Sequence, residues 1–141
     1  MALHSSALRL GRSLRHEIVI DGRHRIVTDE PVRVGGGDTG PAPHELLPAA
    51  LASCIGTTIA MYANRKGWDV DDIGVDVAYD NRAEPRRFEV ELRLPEDLSD
   101  DQLERLRRVA ASCPVHRALE EGFSFHQRLV RTPRLRRADA A

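Results

Sequence analysis

The chain has 141 residues, a length that predicts one domain with a real core. Lys and Arg number 21 against 22 Asp and Glu, a formal net charge of −1, which removes any whole-molecule electrostatic case for binding nucleic acid. No run of 18 apolar residues is present, and the opening MALHSSALRLGR lacks the apolar centre of a signal peptide. A cytoplasmic protein with no membrane partner is therefore expected. Basic character is nearly all arginine, and the basic stretch from Arg131 to Arg137 is expected to begin a frayed tail, about 131–141, on a single 1–141 domain.

The chain opens with short strand candidates. Ser5 to Leu10 is one, followed by a Gly11-Arg12-Ser13 turn. Arg15 to Ile20 and Arg23 to Thr28 are the arms of a hairpin closed by Asp21-Gly22. Val34 to Pro43 (VGGGDTGPAP) holds too much glycine and proline for a regular element. It lacks the spacing of a phosphate-binding loop, and its glycines are expected to let the backbone lie close against other elements.

Pro43 to Lys66 is the longest run with a helical period. Leu47, Leu51, Cys54, Thr58 and Met61 fall on one stripe, widened by Leu46, Ala50, Ile55 and Tyr62. Pro48 predicts that the regular helix begins near His44 to Leu47 after a distorted first turn, and Gly67 ends it. Ala49, Ala52, Ser53, Thr57 and Ala60 keep the other face small, which suits a closely packed position.

Alternation at Ile73, Val75, Val77 and Tyr79 predicts a strand over Asp71 to Tyr79. Its antiparallel return runs from Arg87 to Leu94, with Phe88, Val90, Leu92 and Leu94 on one face. Ser99 and Gln102 form a capping box for a helix over Asp100 to Ser112. Pro114 opens a short helix that Gly122 stops, and Phe123 to Val130 is expected as a final strand. The order of elements predicts an α+β domain.

The chemistry hangs on two cysteines. Cys54 lies on the apolar stripe and Cys113 at the first turn of a helix, where the dipole would help a thiol lose its proton. A mid-helix thiol such as Cys54 needs a nearby cation or donor to become a thiolate, because burial alone raises its pKa. Inert buried thiols, a metal site and a redox pair all remain open on these residues. Cys113-x-x-His116 has the spacing of a metal pair, but zinc would need Cys54, His24 and His44 to converge on it as well.

The segment DEPVRVGGGDTGPAPHELLPAALASCIGTTIAMYANRKGW, together with Cys113-Pro114-Val115-His116-Arg117-Ala118-Leu119, resembles the OsmC/Ohr family of osmotically induced and organic-hydroperoxide-resistance proteins, in its OsmC-like branch. The resemblance runs from about Arg23 to Val130 with both cysteines in place. It implies an OsmC-like fold in which antiparallel sheets wrap around long central helices in an intertwined homodimer. It also implies a thiol peroxidase acting on organic hydroperoxides, with no metal or organic cofactor. Cys54 would form a sulfenic acid, Cys113 would resolve it as a Cys54–Cys113 disulfide, and an external dithiol of lipoyl or thioredoxin type would restore both.

In the Ohr branch a glutamate ten residues before the reactive cysteine orients an arginine that stabilises the thiolate. Here His44 stands at that place and Glu45 follows it, so Glu45 is the candidate carboxylate. Arg12 is the candidate arginine, with Arg15 second. His44, Leu51, Ile55 and His116 are the candidate lining of the substrate pocket. The alternative is a stress-associated protein of the same fold that binds a small apolar ligand in its dimer pocket with little or no turnover.

Overall fold

In the computed structural model the described residues are 2–9 and 11–134. They form two compact units, one running up to Leu46 and resuming at His126, the other spanning Leu47–Phe125. Leu10, the expected end of the first strand, and residues 135–141 of the expected tail lie outside the described residues.

The first unit is an antiparallel sheet of β1 (Ser5–Arg9), β2 (His16–Ile20) and β3 (His24–Thr28), in that spatial order. Ser5 faces Ile20 across the first ladder, and His16 faces Thr28 across the second. Asp21 and Gly22 both adopt positive φ, 51° and 66°, and the Arg23 amide closes on the Ile20 carbonyl at 3.1 Å. That double left-handed turn matches the twist of the strands it joins. Only Thr28 and Asp29 are fully buried among this unit's described residues, and both are polar.

Asp29 organises the glycine loop that follows. Its carboxylate accepts from the amides of Glu30 (2.8 Å), Gly37 (3.2 Å) and Thr39 (3.1 Å) and from the Thr39 hydroxyl (2.6 Å). These donors, the Thr39 hydroxyl foremost, lower its pKa to about 2. The close backbone approach expected of the glycines is present: a Cβ on Gly36 would overlap the Glu30 carbonyl, and one on Gly40 would lie 2.6 Å from the Val27 carbonyl oxygen.

The second unit is built on α1 (Leu46–Lys66), which follows a single tighter turn at Pro43–Glu45. A distorted start was expected from Pro48, and the regular helix indeed begins at Leu46. The packed stripe is Leu51, Ile55, Ile59 and Ala63, an unbroken i+4 series with each residue at most 2% exposed. This corrects the expected stripe. Leu47 and Met61 are 39% and 60% exposed, and they lie with Cys54 and Thr58 on the neighbouring face. Pro43–Lys66 is long and apolar enough to cross a membrane by length and composition alone, although no single run of 18 apolar residues exists. Here its Leu51–Ala63 stripe is packed into a protein core.

Against α1 lie the hairpin of β4 (Gly74–Asp80) and β5 (Arg87–Arg93) and the helices α2 (Asp100–Ala110) and α3 (Pro114–Glu121). Val75 faces Leu92, Val77 faces Val90, and Tyr79 stacks on Phe88 with centroids 4.8 Å apart. The capping box is present: Ser99 Oγ accepts from the Gln102 amide at 3.1 Å, and Gln102 returns the bond to the Ser99 amide at 2.9 Å. Leu106, Ala110 and Cys113 join the α1 stripe and Val70 in one buried cluster, with Trp68, Phe88, Val115 and Leu119 packed on its margin. Trp68 also sits edge-on to Tyr62 at 5.8 Å.

Phe123 to Val130 is not a strand. The alternation is there, but the segment pairs with no described strand, so its backbone has no ladder to enter. Phe123, Phe125 and Leu129 are 64%, 85% and 100% exposed. The α2 helix also stops at Ala110 rather than Ser112, because Ser112 turns its hydroxyl back onto the Val109 carbonyl at 2.7 Å.

Candidate active site

Cys54 and Cys113 meet within the second unit. The α1 helix carries Cys54 just off the packed stripe, so its thiol is half-buried, whereas Cys113 is fully buried. Cys54 packs against the buried cluster that contains Cys113, near enough for each thiol to feel the other, and neither is in a disulfide. Sequence separation alone could not bring them together; the turn between α2 and α3 does.

Cys113 is the N-cap of α3. Its backbone is extended, Pro114 occupies the first helical position, and Sγ accepts from the His116 amide at 3.3 Å. Helix position was expected to ease loss of its proton. Instead, burial pushes the thiol pKa up; the His116 amide lowers it without offsetting that, and the neighbouring Cys54 thiol raises it further.

Cys54 opens onto a groove of about 520 Å³ lined by Ala50, Ser53, Thr57, Met61, Arg65 and Pro114. Small side chains leave the sulfur reachable, and Met61 supplies an apolar wall. Thr58 Oγ1 donates to the Cys54 carbonyl at 2.8 Å, so this hydroxyl is spent on the helix backbone.

Leu51, Ile55 and His116 point to a different side of α1. Leu51 and His116 line a groove of about 280 Å³ with Phe88, Val90, Leu119 and the arginines Arg86 and Arg87. Ile55 and His116 line an adjoining hollow of about 150 Å³ with Leu92 and Ala110. The His116 ring Nε2 lies 3.0 Å from Glu120.

The remaining candidates belong to the first unit, apart from the cysteines. Glu45 Oε2 accepts from the Ala42 amide at 3.1 Å and holds the turn before α1. His44 is exposed in that same turn. Arg12 and Arg15 are exposed near the β1–β2 turn, where the Arg12 carbonyl accepts from Arg9 at 2.8 Å. Among the described residues, no three His, Cys, Asp or Glu side chains converge as a metal site would require.

Sequence reasoning missed Ile59 and the groove residues around Cys54. The i+4 series from Leu51 to Ala63 was the signal for the first. It also missed the His116 amide as a partner of Cys113 sulfur, although Cys-Pro at a helix start was the cue.

No curated protein matches this chain. Among solved structures, a protein of Psychrobacter arcticus 273-4 named for an osmotic stress induced and detoxification response is 27% identical, with 80% of this chain and 85% of that one covered and a TM-score of 0.68. An OsmC-like protein of Mycoplasma pneumoniae shares the fold at 18% identity, with 85% and 88% covered and a TM-score of 0.69. The organic hydroperoxide resistance protein OhrB of Bacillus subtilis aligns at 24% identity, with 83% and 89% covered and a TM-score of 0.52. The family model for OsmC-like proteins matches residues 35–126, a span that holds the glycine loop, α1 and both cysteines. With an α+β fold shared with these structures and most of its length inside that match, the chain belongs to the OsmC-like family of the OsmC/Ohr proteins.

Proposed function

We propose that this protein is a dimeric two-cysteine peroxidase that reduces organic hydroperoxides in oxidative-stress defence. The observation that carries the proposal is a reachable thiol, Cys54, packed against the buried cluster that holds a fully buried one, Cys113. The Cys54 thiolate attacks the terminal oxygen of R–O–O–H, the O–O bond breaks, and the alkoxide leaves with a proton as R–OH. Cys54 is now a sulfenic acid. The Cys113 sulfur displaces its hydroxyl, forming the Cys54–Cys113 disulfide and releasing water. An external dithiol exchanges with that disulfide and leaves oxidised.

The apolar groove walls favour alkyl over hydrogen peroxide. Arg12 is proposed as the cation that stabilises the Cys54 thiolate and Glu45 as the carboxylate that orients it. A second possibility, an apolar-ligand binder with little turnover, is favoured by one observation: Glu45 is already engaged at the start of the helix.

The test is consumption of an alkyl hydroperoxide by reduced protein, with Cys54→Ser and Cys113→Ser alongside and mass analysis of the oxidised product. Rapid consumption, abolished by Cys54→Ser and ending in an intramolecular disulfide in the wild type, is expected. Thiols that stay reduced under excess peroxide would leave the binder.

A further inference from the structure

We propose that forming the Cys54–Cys113 disulfide uncaps α3, so that the redox state of the thiol pair is written into the order of this helix and into the grooves that it lines. The proposal rests on the pairing of the two cysteines under Proposed function, not on peroxide as the oxidant.

The α3 helix has eight residues, two turns, a length at which helix formation is marginal without tertiary or capping support. Pro114 has no amide hydrogen, and the Arg117 amide reaches the Cys113 carbonyl at 3.0 Å. The side-chain acceptor for the first turn is the Cys113 sulfur, which takes the His116 amide at 3.3 Å. One atom therefore caps the helix and does the redox chemistry.

Oxidation acts on that atom by moving it. A disulfide draws the two sulfurs to roughly 2.05 Å and fixes the torsion between them, which pulls Sγ of Cys113 toward α1. Sulfur is a weak acceptor, so the bond to the His116 amide depends on Sγ staying in place. The displacement leaves the His116 amide without its partner. The loosened turn carries His116, whose ring is tied to Glu120 one turn on, and it precedes Leu119; all three line the 280 Å³ groove. Cys113 is fully buried beneath that turn in the reduced protein. Uncapping therefore opens the disulfide to the external dithiol that must reduce it, and reduction closes the helix again.

The experiment is amide hydrogen exchange over α3 in the full chain, reduced, oxidised by diamide and oxidised by an alkyl hydroperoxide. Diamide takes two electrons and two protons from the thiols and becomes the hydrazine, so it makes the disulfide with no peroxidase step. Expected is a roughly five- to tenfold faster exchange of the His116 to Ala118 amides in the disulfide form, the scale of one lost N-cap, with α2 unchanged and full reversal by dithiothreitol. Cys113→Ser keeps an N-cap hydroxyl that cannot be oxidised and should stay protected after diamide. Equal protection in the disulfide and dithiol forms overturns the proposal, as does loss of protection in Cys113→Ser or the failure of diamide to join the two cysteines. Loosening by diamide with no oxidation by peroxide would uphold the switch and remove the peroxidase.

Discussion

Burial and a hydrogen bond pull the Cys113 thiol in opposite directions, and burial wins. Its place at a helix start was legible in the sequence because Cys-Pro before an amphipathic run reads as a cap. Its burial was not, since it comes from packing against α1 and α2. The kinetic consequence follows from sign. A raised pKa means that the attacking thiolate is scarce at neutral pH and becomes abundant only above the ordinary thiol range. Disulfide formation after a pulse of peroxide should accelerate by up to about tenfold per pH unit while Cys113 remains protonated. Quenched-flow alkylation with mass analysis measures it, and a rate flat between roughly pH 6 and 9 would contradict the burial seen here.

At the scale of the element, α1 shows what periodicity can and cannot decide. The boundaries were legible: Pro43 and Pro48 fix the start, and Gly67, with φ 69°, fixes the end. The facing was not. This helix is apolar or small around most of its circumference, so both the Leu47–Met61 series and the Leu51–Ala63 series satisfy the spacing. Tertiary contacts choose the second. Ile59→Ala, at a residue with no exposure, should therefore destabilise the fold by about 2–5 kcal/mol in denaturant titration. A loss under about 1 kcal/mol would return the core to the other face. The misread strand at Phe123 to Val130 has the same origin, since alternation specifies a face and only a neighbour makes a ladder.

Across the whole molecule, apolar surface is unevenly spent. All the buried apolar residues among those described belong to the second unit. The first unit leaves Leu8, Ile26, Val32 and Val34 exposed, and Met61 stands open beside Cys54. Such surface, with Phe123, Phe125 and Leu129 in addition, argues for the proposed homodimer. Light scattering at micromolar concentration should give twice the chain mass of 15.7 kDa, and Met61→Glu should shift the population toward monomer. A wild-type monomer would count against the dimer. The family resemblance, carried by the cysteine motifs and the glycine loop, supplied the fold from sequence alone. It did not locate the cation proposed to activate Cys54, because Arg12 and Arg15 sit near a turn with no pattern to fix their alignment.

The glycine loop also bears on how this sequence can drift. Gly36 and Gly40 press against the carbonyls of Glu30 and Val27, and Gly35 holds a φ of 96° that side chains resist. Asp29 collects donors from positions 30, 37 and 39, so one inserted residue would break the set. A stretch whose composition looks like spacer is thus a clasp with little room for substitution or change in length. Inherited variation should avoid it as strictly as it avoids Ile55 or Leu106, although no large side chain there is buried.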